Sequence, residues 1–582
     1  MTLSKKEFMK QINNNLYNIR HSLAHILASA VQNLFPGARL GTGPAIENGF
    51  YYDLDSKHRF SEQDFKKIEA EMRNLIKQNL KFEYQELNIT DAKKFFKQKN
   101  ETYKVKLIEK FAKDSNKKLS IYKTGNFIDL CEGGHVKNTK ELPQDAFKLT
   151  RIAGTYWQGN ENNPQLQRIY GLAFETKNEL KKYQKNLEEA RARDHKILGP
   201  KLDLFFFHET APGIPYFLPK GVIIINTLIN FWRKEHQKKG YQEISSPLIN
   251  KKELWEKSGH WKHYKNDMFL ADMGENEIYG VKPMNCPNSM IVFESKLRSY
   301  RDLPLRLSDT DILHRYERSG TLNGLLRARS FRQDDSHNFV TEDQIEKEYE
   351  NIFEIAKEFY AKFNLKFKYR LSTRPDKFMG DKATWDKAES SLKHILIKSV
   401  GKNGFYIEQG DGAFYGPKVD IIMKDSLNRE WQMGTIQLDF QIPKNFDLKY
   451  TDKNGKQKTP IVIHRVIYGS LERFIGILIE HFAGAFPFWL APVQIQILPI
   501  SEKFNRYAEK IMNKLQEKNF RVEINKNQET LGKKIRQGEI QKIPYLIIVG
   551  EKEQKNKTIN IRSRENNYQK EMRLNDFSKT LK

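Results

Sequence analysis

Arginine and acidic side chains are concentrated in one short stretch, residues 314–339, with the sequence HRYERSGTLNGLLRARSFRQDDSHNF. Arg315 and Arg327 are suited to a nucleotide because guanidinium groups pair bidentately with phosphate oxygens. Glu317 and Phe331 add a carboxylate and a ring that can stack on a base. The stretch therefore predicts two antiparallel strands and a glycine-containing loop that hold a nucleotide. A salt-bridged surface hairpin would have the same composition, so both interpretations stay open here.

Gln333, Asp335 and His337 end this stretch at alternating positions. Alternating side chains of a strand project from one face, so the three form a candidate floor for a polar ligand or a metal ion.

A second group of reactive side chains lies near the N-terminus. His21 and His25 stand four residues apart in an amphipathic helix pattern, and Cys131 and His135 flank two glycines in DLCEGGH. The glycines permit a tight turn that aims Cys131 and His135 together. The four side chains could form one polar site. A metal site and a structural pair of histidines packed against polar groups are equally open interpretations.

The composition bounds the class of protein. A chain of 582 residues should form three or four domains, and 38% hydrophobic residues with a mean hydropathy of −0.71 indicate a soluble, charge-rich protein. The net charge of +26 favours a polyanionic partner, with nucleic acid first and an acidic membrane surface second. Two cysteines and no evident signal peptide favour a reducing compartment and a cytoplasmic location. The apolar run 482–500 contains three prolines, so we expect a buried domain junction there.

The elements that must position these residues can be read from periodicity. Helices are predicted at 61–79, 176–193, 222–239 and 342–364. The helix at 176–193 is crowded with Lys, Glu and Arg and reads as a linker between domains. The last 92 residues alternate apolar strands with polar helices, which is typical of a small α/β domain. They carry 20 Lys and Arg against 11 Asp and Glu, so this domain is a candidate nucleic-acid surface.

Three segments follow one another along the chain: a helix-to-strand segment ending at Pro247, the Arg-x-Glu stretch, and GSLER at 469–473. This order resembles motifs 1, 2 and 3 of class II aminoacyl-tRNA synthetases. The sequences KPMNCP, RSFRQDDSH, DGAFYGPK, QLDF and HRVIYGSLERFIG are similar to those of the threonyl-tRNA synthetase family. HSLAHILASA, NGFYYD, CEGGH and RIAGTYWQGNENNPQLQRIYG resemble the editing domain of that family. The resemblance covers nearly the whole chain.

The resemblance implies an α+β multidomain protein. Its expected parts are an N-terminal extension at 1–13, an α+β editing domain at 14–175, a linker helix at 176–200, a class II antiparallel-sheet catalytic domain at 201–490 and an α/β anticodon-binding domain at 491–582. The implied reaction joins L-threonine to its tRNA through a threonyl-adenylate, with ATP and Mg²⁺, and the editing domain hydrolyses Ser-tRNA. A homodimer is expected. About a dozen residues precede the first editing helix, so the ubiquitin-like domain found in many members is expected to be missing.

The resemblance also assigns roles residue by residue. Arg315 is expected at the α-phosphate, Glu317 at the adenine amino group, Phe331 at the adenine ring, and Arg327 and Arg473 at the outer phosphates. Cys286, His337 and His464 are the implied zinc ligands, and Gln333, Asp335 and Tyr415 the implied threonine contacts. His260 and Lys418 are implied as further catalytic residues, His21, His25, Asp129, Cys131 and His135 as the editing site, and Arg536, Glu553 and Arg562 as anticodon contacts.

Two chemical problems explain this division of roles. Valine is nearly isosteric with threonine, and a zinc ion that contacts both the amino nitrogen and the hydroxyl rejects it. Serine has both donors, so a second, hydrolytic site is needed. The resemblance implies that the editing site works without a metal. Glu132 and Gly134 depart from the family pattern, in which Arg and Pro are common, and the departure affects the expected geometry of that loop.

Two other classes of protein fit the sequence less well. A synthetase-like RNA-binding or regulatory protein without catalysis would not need Arg315, Glu317, Arg473 and the three implied zinc ligands. A class II synthetase for serine or proline is disfavoured by the same Cys-His-His set together with Asp335.

Overall fold

The computed structural model describes residues 14–111, 118–275, 277–425, 429–565 and 569–581. The predicted extension at 1–13 lies outside these residues. The chain divides into two compact units, one ending at Glu188 and the other beginning at Glu189. No helix within the described ranges has the length and apolarity that a membrane crossing requires.

The first unit combines helices with two antiparallel sheets. Its helices are α1 Asn14–Leu34, α2 Phe65–Lys77, α3 Ile89–Gln98, α4 Thr102–Phe111 and α5 Lys177–Arg193, which continues past Glu188. Its strands are β1 Arg39–Leu40, β2 Ala45–Ile46, β3 Gly49–Asp55, β4 Glu83–Leu87, β5 Leu119–Thr124, β6 Phe127–Leu130, β7 Phe147–Tyr156 and β8 Gln165–Ala173. One sheet has the order β1-β3-β8-β7 with β2 beside β3, and the other has the order β4-β5-β6.

Helix α1 forms because apolar residues recur at three- and four-residue spacing in HSLAHILASAV. Its Leu23 and Leu27 are fully buried in one core with Phe50 and Leu54 of β3. This packing fixes the helix against the sheet. The polar residues His21 and His25 are thereby held on a helix that cannot turn freely.

The second unit begins with the elements of the central domain. Its helices are α6 His195–Lys201, α7 Pro219–Lys238, α8 Lys252–Lys257, α9 His260–Tyr264, α10 Cys286–Glu294, α11 Ile345–Lys362, α12 Lys382–Val400, α13 Ile442–Asn445 and α14 Leu471–His481. Its strands are β9 Phe205–Phe207, β10 Pro215–Phe217, β11 Gln242–Glu243, β12 Ile249–Lys251, β13 Leu270–Asp272, β14 Ile278–Val281, β15 Leu305–Asp309, β16 Ile312–His314, β17 Ser330–Arg332, β18 Asp335–Val340, β19 Lys366–Ser372, β20 Phe405–Glu408, β21 Lys418–Lys424, β22 Glu430–Asp439, β23 Tyr450–Thr451, β24 Gln457–Lys458 and β25 Ile461–Val466.

A large sheet forms the frame of this domain, with the strand order β11-β15-β18-β25-β22-β21-β19-β20. The pairs β11/β15 and β19/β20 are parallel and the other neighbours are antiparallel. Helices α7, α11 and α14 contribute Leu228, Ile352 and Phe474 to the core on the sheet, and each of these is fully buried. The candidate functional site lies beside the centre of this sheet.

The C-terminal part of the unit is a small α/β fold. It contains α15 Asn505–Gln516, α16 Leu531–Ile540, α17 Glu551–Asn556, α18 Leu574–Thr580, β26 Ile495–Pro499, β27 Val522–Ile524, β28 Tyr545–Val549, β29 Ile559–Ser563 and β30 Gln569–Met572. The sheet order is β27-β26-β28-β29-β30. The apolar run 482–500 follows α14 and contains β26, and its residues Phe486, Leu490 and Ile495 are buried.

The two antiparallel strands predicted for the stretch 314–339 are present as β16 and β17, but the end of the stretch lies outside this pair. Strands β16 and β17 form a separate two-stranded sheet, whereas β18 belongs to the large sheet. The chain leaves one sheet and enters the other at Gln333 and Asp334. The predicted helices exist with shifted ends; the one expected at 61–79, for example, is α2 preceded by a short 3₁₀ turn at Glu62–Asp64.

Candidate functional site

A cavity of about 410 Å³ opens beside the centre of the large sheet. It is lined by all of the residues predicted for ATP, threonine and zinc: Cys286, Arg315, Glu317, Arg327, Phe331, Gln333, Asp335, His337, Tyr415, His464 and Arg473. Positions that lie up to 187 residues apart in the chain therefore meet in one cavity. The sequence also missed lining residues, among them Tyr264, Gln432 and Gln437.

Cys286, His337 and His464 form a compact group of possible metal ligands. One ligand atom of each residue lies within 4.8 Å of the others, and all three residues are buried. The histidines are cross-strand neighbours on β18 and β25, and Cys286 begins α10. One sulfur and two imidazole nitrogens suit zinc and leave a coordination position for a substrate. The donor set of this chain therefore fits a zinc ion.

Each histidine of this group is oriented through its other ring nitrogen. Ser289 Oγ lies 3.0 Å from Nδ1 of His337, and Asp439 Oδ2 lies 2.8 Å from Nε2 of His464. Such outer contacts fix the ring orientation of metal-binding histidines. Burial lowers the pKa of His337 well below its ordinary value, and so this ring is neutral, as a ligand must be.

The polar groups beside the three possible ligands are also buried. Asn285 Nδ2 donates to Asp335 Oδ2 at 3.2 Å, and the Tyr415 hydroxyl donates to Gln437. Burial raises the pKa of Asp335 to about 6, although His464 and Asn285 act in the opposite direction. A carboxylate in this position can accept a hydrogen bond from a substrate hydroxyl.

Three arginines meet at the other end of the cavity. Arg473 Nε donates to the Leu326 carbonyl at 2.9 Å, and Arg315 Nε donates to the Pro283 carbonyl at 3.2 Å. Burial lowers the pKa of Arg473, and the nearby charges of Arg315 and Arg327 lower it further. Positive charges that repel one another in a cavity favour the binding of an anion such as a polyphosphate.

Two buried acids that the sequence did not single out hold this end together. The Asp334 carboxylate accepts backbone N–H groups of Ile467 at 2.9 Å, Tyr468 at 2.9 Å and Gly469 at 3.1 Å. Glu472 Oε2 accepts the Arg332 N–H at 2.7 Å. Burial raises the pKa of both carboxyl groups to about 7. Through these hydrogen bonds the two carboxylates connect the loop before α14 to the end of β17.

Of the described residues predicted for this centre, His260 and Lys418 do not line the cavity. His260 is fully buried, with Nε2 3.5 Å from Cys286 Sγ and Nδ1 2.9 Å from Ser258 Oγ. Burial lowers its pKa to about 4. Lys418 Nζ lies 3.1 Å from Asp411 Oδ2 and 3.2 Å from Asp420 Oδ2.

The first unit contains a second cluster, formed by His21, His25, Cys131 and His135. Cys131 Sγ lies 3.5 Å from His21 Nε2 and 3.2 Å from His135 Nε2. The His135 ring centre is 4.3 Å from those of His21 and His25. The turn between Cys131 and His135 uses Gly133 and Gly134 at φ 102° and 88°, which other residues rarely adopt.

The protonation states in this cluster follow from its burial. Burial lowers the pKa of His21, His25 and His135, so these imidazoles are neutral near pH 7. Burial raises the pKa of Cys131 to about 12, so its side chain is a thiol and not a thiolate.

Asp129 lies beside the cluster with two partners that the sequence did not reveal. Tyr52 donates its hydroxyl to Asp129 Oδ2, Lys104 pairs with Asp129 Oδ1, and Lys104 Nζ lies 3.2 Å from the Tyr52 hydroxyl. His25 Nε2 is 3.6 Å from Asp129 Oδ2. Lys104 is only 2% exposed, so it is a buried cation held by a carboxylate.

The residues predicted for the anticodon lie in the C-terminal fold. Arg536 is exposed on α16, and Arg562 on β29 pairs with Glu539 of α16 at 3.0 Å. Glu553 is buried at the start of α17 and accepts the Gly550 N–H at 2.9 Å.

Family models match three parts of this chain. Residues 268–482 match the tRNA synthetase class II core domain (G, H, P, S and T), and residues 494–582 match an anticodon binding domain. Residues 119–170 match the threonyl and alanyl tRNA synthetase second additional domain. Together with the antiparallel sheet and the arginine-lined cavity, these matches define a class II aminoacyl-tRNA synthetase.

The similarity to individual relatives identifies the family within this class. The threonine–tRNA ligase of Acetivibrio thermocellus is 49% identical over 96% of this chain and 87% of its own length. That of Caldanaerobacter subterraneus subsp. tengcongensis is 50% identical over 94% and 83%. A crystal structure of the RNA binding domain of threonyl-tRNA synthetase from Cryptosporidium parvum Iowa II is 40% identical, with a TM-score of 0.64, and covers 67% of this chain and 98% of that one. The chain belongs to the threonine–tRNA ligase family. The predicted family and fold class are therefore confirmed.

Proposed function

We propose that this protein activates L-threonine with ATP, transfers it to tRNA, and hydrolyses mischarged Ser-tRNA in its first unit. One observation carries the proposal: the three arginines and the Cys286, His337 and His464 group line the same cavity, with Asp335 among the lining residues. An adenylating enzyme needs this arrangement because the amino-acid carboxylate must reach the α-phosphate of ATP.

Activation follows from the charges at the arginine end. The carboxylate oxygen of threonine attacks the α-phosphorus and pyrophosphate leaves, so negative charge builds up on the phosphates. Arg315 stabilises the α-phosphate, and Arg327 and Arg473 hold the outer phosphates, with Mg²⁺ accompanying the ATP. Glu317 accepts the adenine amino group and Phe331 stacks on the ring. Glu317 pairs with Arg327 at 2.8 Å, and this ion pair keeps both side chains at the cavity before ATP binds.

Amino-acid selection is assigned to the opposite end of the cavity. Cys286, His337 and His464 would hold one zinc ion, which supplies a Lewis-acid contact to the amino and hydroxyl groups of threonine. Asp335 accepts the hydroxyl proton in a hydrogen bond. Gln333 and Tyr415 line the pocket around the side chain. Valine lacks the hydroxyl, and its binding would leave Asp335 buried without that donor.

Editing is assigned to the cluster in the first unit. Its neutral histidines can accept hydrogen bonds from a water molecule and so position it, and the Cys131 thiol can donate a hydrogen bond without acting as a nucleophile. Asp129 Oδ2 lies 3.6 Å from His25 Nε2. Lys104 and Tyr52 in turn fix Asp129, which makes them part of the proposed site.

The remaining assignments are proposals of the same kind. The basic C-terminal fold would bind the anticodon through Arg536, Glu553 and Arg562, because forked guanidiniums and a carboxylate can read unpaired base edges. His260 would assist the transfer step, and Lys418 is a further candidate catalytic residue. We also propose a cytoplasmic homodimer. Exposed apolar residues of the second unit support the dimer, among them Leu248, Ile249, Leu270 and Met273.

The proposal is tested by ATP–pyrophosphate exchange with threonine, serine, valine and proline, each with and without a zinc chelator. We expect exchange with threonine, weaker exchange with serine, essentially none with valine or proline, and loss of activity after zinc removal. Exchange that prefers serine or proline, or threonine exchange that survives complete removal of zinc, would contradict the assignment.

A further inference from the structure

His195 connects three elements of the second unit at one buried point. It is the first residue of α6, and its side chain is 1% exposed. Its Nε2 atom accepts the backbone N–H of Leu325 at 3.1 Å. Its Nδ1 atom lies 2.6 Å from Glu480 Oε1, near the end of α14. Since Nε2 accepts, the ring proton is on Nδ1 and is donated to Glu480.

Both ring nitrogens are therefore engaged. Asp194, His195 and Glu480 are spaced as a metal site could be, but no lone pair of the His195 ring is free for a metal ion. The cluster is a hydrogen-bonded support.

Glu480 is itself firmly fixed. It accepts the backbone N–H of His195 at 3.2 Å through Oε1, and its Oε2 pairs with Arg429. Burial alone would raise the pKa of Glu480, but the hydrogen bonds from His195 and Arg429 outweigh it and lower the pKa. Glu480 is thus a carboxylate that holds the imidazole in one tautomer.

The loop held by His195 is the one that carries Arg327. Lys196, the next residue of α6, donates to Asn323 Oδ1 at 3.0 Å. Gly324 has φ 54°, and a Cβ atom added there would lie 2.3 Å from His195 Nε2. The loop is therefore closely seated on α6. On its other side Arg473 donates to the Leu326 carbonyl at 2.9 Å, so the loop also positions a second phosphate-binding arginine.

We propose that His195 is a positioning residue for ATP, which holds the loop 323–327 so that Arg327 and Arg473 reach the outer phosphates. This inference rests on the proposed function, because it assigns a role in the binding of ATP. His195 does not line the cavity and touches no expected substrate atom. Its action passes through the backbone of Leu325.

Two substitutions test the hydrogen bonds of the two ring nitrogens separately. Glutamine places an acceptor near the Nε2 position and so keeps the bond to Leu325, whereas asparagine keeps only the donor near Nδ1. We expect His195→Asn to raise the KM for ATP about tenfold in threonine-dependent exchange, the usual effect of losing one buried hydrogen bond. His195→Gln should stay within about twofold of wild type. The KM for threonine should change in neither variant.

The matched control is thermal unfolding of both variants, followed by circular dichroism. A merely structural role predicts that the two KM values rise together and follow the loss of stability. Equal KM values for ATP in the Asn and Gln variants, or an equal rise for threonine, would overturn the proposal. Wild-type exchange with threonine tests the proposed function separately, so the two failures can be told apart.

A third variant approaches the same contact from the loop. Gly324→Ala places a methyl group 2.3 Å from His195 Nε2, so the loop must move away from the ring or the ring must shift. It should raise the KM for ATP in the same direction as His195→Asn. In an Arg327→Ala background His195→Asn should raise the KM for ATP by a smaller factor than in wild type, because one of the two arginines that the loop positions is gone. Fully additive effects would contradict this route, and so would a normal ATP KM for Gly324→Ala.

Discussion

Replacing Lys104 with methionine removes the buried cation of the proposed editing site and keeps most of its apolar stem. Lys104 is 2% exposed and pairs with Asp129, whose other donor is Tyr52. Removing one partner of a buried ion pair costs about 3–5 kcal/mol while the remaining charge persists. Lys104→Met therefore leaves the Asp129 carboxylate buried with Tyr52 as its remaining donor.

The stability of the protein should change through the same ion pair. Lys104→Met leaves a buried carboxylate without its cation, so the variant should unfold at a lower temperature than wild type. Thermal unfolding followed by circular dichroism measures this difference.

The assay of function is deacylation of Ser-tRNA. We expect Lys104→Met to lower its rate about 100-fold, a typical effect of removing one preorganised polar group. Threonine-dependent exchange should stay normal because the activation residues belong to the second unit. The double variant Lys104→Met, Asp129→Asn should regain part of the lost stability without regaining hydrolysis. Wild-type deacylation by Lys104→Met, or a single variant as stable as wild type, would contradict this role of Lys104.

Three further variants test the assigned roles. Arg315→Ala should abolish adenylate formation, measured by exchange, with an unchanged circular dichroism spectrum; near-normal exchange would contradict its role at the α-phosphate. Cys286→Ala should lose both threonine activation and the one zinc ion per chain expected in the wild type by atomic emission, and retention of zinc and full activity would count against the ligand set. The double variant His21→Ala, His25→Ala should keep exchange and lose hydrolysis of Ser-tRNA, whereas undiminished hydrolysis would show that editing occurs elsewhere.

The sequence predicted much of the cavity because its residues lie in long, recognisable motifs. Gln437 is an example of a residue that the sequence predicts only in part. The motif QLDF resembles that of the family, but only the structure shows that β22 places Gln437 opposite His464. Asp439, two residues on and on the same face of the strand, orients that histidine. Cross-strand partners of this kind depend on register, which the sequence alone does not give.

The buried residues that support the two sites could not be recognised from the sequence around them. Lys104 is one of many lysines in its region of the chain, and nothing in that region sets it apart from a solvated residue until α4 packs beside Asp129. Asp334 adjoins Asp335 in sequence, but the chain passes between two sheets there and the two carboxylates serve different ends of the cavity. Such roles arise from contacts between distant segments.

Discrimination between threonine and valine is the most direct test of how the cavity selects its substrate. We propose that the Cys286, His337 and His464 group and Asp335 select the side-chain hydroxyl in the same cavity that binds ATP. A site built to hydrogen-bond a hydroxyl rejects the analogue without it by about 10⁴-fold. The measurement is the ratio of kcat/KM for threonine over valine in ATP–pyrophosphate exchange by the zinc-loaded protein. We expect a ratio of about 10⁴ or more, and a ratio of about 100 or less, as for a plain apolar pocket, would contradict selection of the hydroxyl.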